Sequence, residues 1–183
     1  MKIRQNLQTA VAAVAILWLV YFINFLLPMD LRLYGLQPQR LDRLAGIVLT
    51  PFLHVDLRHL IANSGILFVL LTVSLSFSRK LTFRALWIIV LVGGGLVWLA
   101  GNGDAIHVGA SGVIFGLIGF LMGLGLFRRA WKALILSLVI FLLYGGVLQS
   151  LFTYVPGISW TGHLFGFISG VLAAWWTRAV SKR

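Results

Sequence analysis

The 183-residue chain contains no cysteine and no glutamate, and its only acidic residues are four aspartates. The absence of cysteine excludes disulfide bonds, thiol nucleophiles and cysteine-ligated metals. The absence of glutamate excludes the His-Glu-x-x-His zinc motif of metalloproteases. Charged residues make up only 10% of the sequence, whereas about 25% is usual in soluble domains. The chain is therefore poor in the groups that keep a protein surface in water.

Hydrophobic residues, at 60% of the sequence, occur in long runs. A membrane-spanning helix needs about 20 such residues, and the first run is too long for the core of a signal peptide. We therefore predict one domain, residues 1–183, with an all-α polytopic membrane fold. A long outer loop, residues 28–58, includes a partly apolar segment, 42–53, that is expected to form an interfacial helix. The six predicted helices are 8–27, 59–77, 83–101, 111–127, 133–150 and 162–177.

Basic residues are distributed unequally between the two sets of loops. Eleven of the fifteen lysines and arginines lie at the termini and in alternate loops that contain no aspartate. Because cytoplasmic loops of membrane proteins are enriched in basic residues, both termini are predicted to be cytoplasmic, as in a bacterial inner membrane protein. The net charge of +11 is thus explained by topology, and no basic patch indicates nucleic-acid binding.

Polar residues lie at the outer ends of three predicted helices. His59 begins the second helix, and Asn63 lies on the same helix face. Ser111 begins the fourth helix and His163 the sixth. The predicted sixth helix is about 24 Å long, against about 30 Å of hydrocarbon, so His163 starts below the outer surface. Irregular backbone at that depth requires a water-filled cavity, which predicts a wet cleft that is open to the outer side.

The residues at this cleft suit acyl-transfer chemistry. Ser111 lies at a helix N-terminus between Gly109 and Gly112, so its amide can face a developing oxyanion. A serine nucleophile needs a base within hydrogen-bond reach, and His163 is the candidate. No carboxylate lies within a span, which predicts a Ser–His dyad. His59 and Asn63 are candidate oxyanion donors. Close packing of the fourth and sixth helices is predicted from their glycines: Gly112, Gly116, Gly119, Gly123, Gly162, Gly166 and Gly170.

Three motifs in order, His59-x-x-x-Asn63, Gly109-x-Ser111-Gly112 and Gly162-His163, resemble those of the rhomboid family of intramembrane serine proteases. The resemblance covers essentially the whole chain. It implies a six-helix rhomboid-like bundle that cleaves transmembrane helices of membrane-protein substrates in the lipid bilayer. It also implies an oxyanion hole formed by the Ser111 amide, His59 and Asn63, and a structural role for His54. The sequence departs from the family pattern at two places. Its first loop lacks the Trp-Arg pair of many bacterial members, and it has Phe115 where some members have a tyrosine that packs on the catalytic histidine.

Structural roles for the same residues remain open. Ser111 and His163 are also residue types that hold transmembrane helices together, and His59 and Asn63 are able to tie the first loop to its helix. His54 and His107 are expected to be structural residues of loops near water.

Two other site chemistries are disfavoured. Residues 101–104, Gly-Asn-Gly-Asp, match a pattern of intramembrane aspartyl proteases, but no second aspartate is expected at the same depth. No metal site or cofactor is predicted, because the histidines lack acidic or cysteine companions at depth.

Three functions are considered from the sequence. The first is an intramembrane serine endopeptidase. The second is a catalytically silent rhomboid-like protein that binds and escorts membrane proteins. The third is a small transporter or channel, which the lack of internal repeats disfavours. The sequence leaves the substrate and the oligomeric state open.

Overall fold

The structure is a computed structural model and describes residues 2–101, 103–129, 131–143 and 159–177. Over these residues the chain is helical and contains no β-strand. The predicted all-α architecture of six helices is confirmed, and four helices in the described part are long and apolar enough to cross a membrane. The helices are α1 (Lys2–Leu26), α2 (Gly46–Leu49), α3 (Leu57–Phe77), α4 (Arg79–Ile88), α5 (Gly94–Ala100), α6 (Ser111–Arg128), α7 (Trp131–Leu143) and α8 (Trp160–Thr177).

The third long helix is continuous but irregular. A π-helical turn, Ile89–Gly93, joins α4 to α5, so that Arg79–Ala100 forms one apolar helix of 22 residues. Turns of this kind often mark functional regions. The sequence pattern contains no signal for this turn.

Several helix bounds differ from the predicted ones. α1 begins at Lys2 instead of residue 8, because its first polar turns contain good helix formers. α4 begins at Arg79 instead of residue 83, because the side chain of Ser78 accepts a hydrogen bond from the amide of Leu81 and caps the helix. α8 begins at Trp160, two residues early. The predicted end of the fifth helix, 144–150, lies outside the described residues.

The loop between α1 and α3 is folded, not extended. It contains three 3-10 turns, Leu31–Tyr34, Leu41–Arg43 and Thr50–Phe52, besides the single α-helical turn α2. The helix expected at 42–53 is therefore a succession of short turns. Asp30 caps the first turn through the amide of Arg32 and pairs with its guanidinium at 2.8 Å.

Polar contacts fix α1 antiparallel to α3. Near the middle of both helices, the indole Nε1 of Trp18 donates to Oγ of Ser64 at 3.0 Å. Near the start of α1, Arg79, which follows the end of α3, donates to Asn6 at 2.9 Å and to Thr9 at 3.2 Å. Because the start of α1 lies beside the end of α3, these two helices cross the bundle in opposite directions.

Glycines bring α6 and α8 together as parallel neighbours. A Cβ atom added to Gly166 would overlap the carbonyl oxygen of Gly112, and one added to Gly170 would overlap that of Gly116. Towards the other end, a Cβ atom at Gly123 would lie 2.5 Å from the Cβ of Ala174. Residue numbers rise together along both helices, so the starts of α6 and α8 lie at the same end of the bundle. The close packing predicted from the glycines is confirmed.

Candidate active site

Ser111 is the first residue of α6 and is partly exposed. The first amides of an α-helix have no intrahelical acceptor, so the amide of Ser111 is available to an acyl oxygen. The preceding segment is tied to the first loop, because the amide of Gly109 donates to the carbonyl of Thr50 at 3.0 Å. The side chain of Ser111 makes no hydrogen bond with another residue of the described ranges.

Gly109 has a backbone conformation that glycine alone adopts easily. Its φ of +116° lies in the left-handed region, and an added Cβ atom would lie 2.7 Å from Cε1 and 3.0 Å from Nε2 of His59. The same position is 3.6 Å from Nδ2 of Asn63. The structure therefore brings His59 and Asn63, on α3, to the segment that leads into Ser111.

Asn63 carries a buried donor at this place. Its side chain is 5% exposed, and its Nδ2 atom has no hydrogen-bond partner among the described residues. A buried donor without an acceptor lowers stability by about 1–3 kcal/mol, so it is retained most readily where a ligand supplies the acceptor.

His163 lies in the first turn of α8 and is 6% exposed. Its imidazole stacks on the ring of Phe115 at a centroid distance of 4.2 Å and an interplanar angle of 21°. Phe115 is one helical turn beyond Ser111, so both residues lie on the same face of α6. A Cβ atom on Gly112 would lie 3.4 Å from the carbonyl oxygen of Gly162. Ser111 and His163 are therefore on adjoining turns of two parallel helices.

His54 and His107 are buried, and the expectation that both lie near water is wrong. His54, 2% exposed, packs edge-on against His59 at 5.2 Å between ring centroids. Burial first, and then the adjacent His59, lower the pKa of His54 to about 4 from its ordinary 6.5. His107, 9% exposed, forms an isolated backbone bridge with Leu36 of the first loop.

Ser159 is a site residue that the sequence analysis did not single out. Its Oγ accepts a hydrogen bond from the amide of Gly162 at 3.0 Å and lies 2.6 Å from Nδ1 of His107. It thus caps α8 three residues before Gly162 and ties that helix to the segment before Ser111. A serine just ahead of an apolar helical run is a cap signal in the sequence, whereas the contact with His107 has no local signal.

A cleft of about 60 Å³ adjoins Ser111. Its lining combines the first loop, the middle of the third long helix and the starts of α6 and α8. Among the described residues that line it, Ser111 is present and the buried His163 is not. Besides Ser111, its lining includes His107, Gly109, Gly112, Ser159 and Gly162. In the described ranges, no three histidines, aspartates or other metal-ligating residues lie together.

Comparisons with known proteins agree with this architecture. A family model described as the Rhomboid domain matches residues 41–180. An uncharacterized protein of Mycobacterium tuberculosis is 37% identical over 185 residues, which cover 96% of this chain and 76% of the relative. An uncharacterized protein of Mycobacterium leprae is 36% identical over 187 residues, covering 96% and 72%. A protein of Bacillus subtilis, named as a candidate rhomboid protease, is 33% identical over 132 residues, covering 68% and 63%. No solved structure matches the chain.

Proposed function

Because the chain belongs to the rhomboid family, we propose that it is an intramembrane serine endopeptidase with Ser111 as nucleophile and His163 as general base. The observation that carries the proposal is the stack of His163 on Phe115, one turn from Ser111 across two parallel helices. Nucleophilic catalysis requires a base within hydrogen-bond reach of the serine, and a histidine on the neighbouring helix at the level of the helix-terminal Ser111 is placed to act as that base. The 60 Å³ cleft beside Ser111 gives a substrate backbone access to it.

The proposed reaction proceeds through an acyl-enzyme. Oγ of Ser111 attacks the scissile carbonyl carbon while the imidazole of His163 takes the hydroxyl proton. The same proton passes to the leaving amine as the peptide bond breaks. A water then attacks the ester, again with His163 as base, and releases the acid and the serine hydroxyl.

The oxyanion of each tetrahedral intermediate would be bound beside Gly109. The amide of Ser111 supplies one donor, and the side chains of Asn63 and His59 supply two more. The unpartnered Nδ2 of Asn63 supports this role, because the oxyanion would provide the acceptor that the described residues lack. The hydrogen bond from the amide of Gly109 to the carbonyl of Thr50 fixes the segment that leads into Ser111 before substrate arrives.

The proposed setting is a bacterial inner membrane. The chain is a multi-pass membrane protein with at least four apolar helices in the described ranges. With both termini on the basic, cytoplasmic side, the cleft beside Ser111 faces the opposite side. The substrates are then membrane proteins whose transmembrane helix reaches the cleft from the bilayer.

The test is covalent labelling of detergent-purified protein by a fluorophosphonate probe. Wild type is expected to label, whereas Ser111→Ala and His163→Ala are expected to lose labelling. Ser111→Ala should unfold at the wild-type temperature, and His163→Ala should unfold below it, because it removes a buried ring that stacks on Phe115. Ser76→Ala, which changes an exposed serine of α3, serves as the matched control and keeps the label. Labelling that survives in Ser111→Ala would refute the assignment of the nucleophile.

A second candidate function is binding and escort of membrane proteins without cleavage. It is favoured by the absence of a hydrogen bond between the Ser111 side chain and any other described residue. Hydrogen bonds of a catalytic pair often tighten only with substrate present, so protease activity remains the proposal. A folded wild type that neither labels nor cleaves, yet binds a transmembrane segment, would favour the escort function.

A further inference from the structure

A second cavity, larger than the cleft at Ser111, lies between α1, the first loop, α3 and α4. Its volume is about 310 Å³, and every residue that lines it is hydrophobic. Leu17 of α1, Leu67 and Leu71 of α3 and Trp87 of α4 contribute to its walls. The indole N–H of Trp87 is the only side-chain hydrogen-bonding group in this lining. Water needs two to four polar partners, so the cavity does not suit water or a polar ligand.

The mouth of this cavity opens sideways, towards lipid. Its lining residues on α1 and α3 lie near the middle of helices long enough to cross a membrane, and Leu86 and Trp87 lie two turns inside the third long helix. Ile16, Phe83 and Trp87, which line the cavity, are 45%, 42% and 62% exposed. Exposed apolar side chains at this depth of a membrane protein face acyl chains. The opening is therefore within reach of the hydrocarbon of the bilayer.

The lipid that surrounds the protein is available to fill this cavity. An empty cavity forfeits the van der Waals contacts of its lining, and a dry apolar cavity of about 150 Å³ already holds benzene. The cavity here has about twice that volume. We propose that it binds an acyl chain of a membrane phospholipid. Bilayer and cavity are equally apolar, so the gain is packing and not removal of surface from water.

The bound chain would lie directly behind the active-site cleft. Pro51, Val90 and Val113 line both the apolar cavity and the cleft beside Ser111, and Ala110 lines the cavity next to the proposed nucleophile. The wall between the two spaces is thus one residue thick at these places. An acyl chain in the cavity supports this wall, so the reactivity of Ser111 is expected to depend on lipid. This second step rests on the proposed function, whereas binding of the chain does not.

Binding is tested with the Ser111→Ala protein in phosphatidylcholine vesicles that contain a photoactivatable phospholipid, with a diazirine near the end of one chain. Mass spectrometry is expected to find adducts on Leu17 or Leu71. Ala13→Phe, which fills the cavity from α1, should lose them, whereas Ala15→Phe on the exposed face of the same helix should keep them. Adducts confined to exposed residues outside the cavity, or equal adducts in both variants, would overturn the proposal.

Two further measurements keep the test decisive. Val48→Phe fills the same cavity from the first loop and replaces Ala13→Phe if that variant does not fold. Coupling is measured on the protein with Ser111 intact, as the rate of fluorophosphonate labelling in detergent with and without added phospholipid. The wild-type rate should rise with phospholipid and the rate of Ala13→Phe should not change. If the labelling rate changes neither with added phospholipid nor with the substitution, the coupling is overturned. If lipid adducts form but wild type is not labelled by the fluorophosphonate, the proposed function is overturned and lipid binding stays established.

Discussion

The ring of Phe115 lies nearly parallel to the imidazole of His163, with 4.2 Å between the ring centroids. Both residues are buried, on α6 and α8 respectively. The sequence has phenylalanine where some rhomboid proteins have tyrosine. The stacking contact needs the aromatic ring but not the hydroxyl group of tyrosine. The contact restrains the plane of the imidazole, which is the proposed general base.

Removal of this ring should impair the proposed base as well as the packing around it. Aromatic pairs contribute about 0.5–1.5 kcal/mol beyond burial, which corresponds to roughly two- to tenfold in rate. Phe115→Leu is therefore expected to lower fluorophosphonate labelling of folded protein by that factor. Phe120→Leu alters another fully buried phenylalanine of α6 and serves as the control. Equal labelling rates in the two variants would show that the stack does not position His163.

Asn63 is expected to matter to turnover and little to stability. Removal of one oxyanion donor lowers kcat by about 10²–10³, so Asn63→Ala should cleave a model transmembrane substrate that much more slowly. Its unfolding temperature should not fall, because Nδ2 has no partner among the described residues. Ser64→Ala is the control: it breaks the bond from Trp18, and its expected effect is lost stability with unchanged turnover. Wild-type turnover in Asn63→Ala would contradict the oxyanion role.

The sequence alone predicts the helices and several residues that lie together at the candidate site, because apolar runs and helix-terminal polar residues are local signals. Ser111 begins α6, and His59 and Asn63 approach Gly109, as the pattern indicates. The glycines of α6 and α8 correctly indicate close packing, since small residues on one helix face have few other uses in a membrane.

Contacts between distant loops are the part that the sequence does not predict. His107 pairs with Leu36, 71 residues away, and with Ser159, 52 residues away, and neither partner has a pattern that identifies the other. The sequence therefore predicts that a histidine in a polar loop is exposed, although His107 is buried. The π-helical turn Ile89–Gly93 has the same difficulty, because its residues form a regular apolar run in the sequence.

The contact between His107 and Ser159 should stabilise the start of α8. Ser159→Ala removes both the cap of α8 and the partner of His107, and loss of a serine cap lowers stability by about 0.5–2 kcal/mol. A double-mutant cycle with His107→Phe separates the two effects. We expect a coupling free energy of about 0.5–1.5 kcal/mol between the two side chains, measured by thermal unfolding. Additive effects would show that the 2.6 Å contact contributes nothing.

Stability should fall on acidification through His54. The pKa of this buried imidazole is about 4, against 6.5 ordinarily, so the unfolded chain binds a proton more readily than the folded one. The contribution of neutral His54 to the free energy of unfolding is complete above about pH 6.5. It is lost as the pH falls towards 4, and the total loss is up to about 3 kcal/mol. The unfolding temperature of wild type should therefore drop more between pH 7.5 and pH 4.5 than that of His54→Phe. Identical pH profiles would mean that His54 titrates normally in the fold.

The glycine contacts between α6 and α8 predict that small substitutions disturb both stability and catalysis. A methyl group at Gly170 would overlap the carbonyl oxygen of Gly116 and lie 2.8 Å from the amide of Phe120. The helices must separate to accept it, which lowers stability by about 1–3 kcal/mol. Because α8 carries His163, a shift of about 1 Å should also reduce turnover by roughly 10²-fold.

Gly65→Ala is the matched control for Gly170→Ala, because nothing lies within 4 Å of the added methyl group. Alanine is favoured over glycine inside a helix by about 0.5–1 kcal/mol, so this variant should unfold at the wild-type temperature or above and cleave normally. Thermal unfolding and cleavage of a model substrate measure both effects. If Gly170→Ala lost stability but kept full turnover, the packing of α8 on α6 would hold the bundle together without setting the distance between His163 and Ser111. The positioning role would then belong to the Phe115 stack and the Ser159 cap.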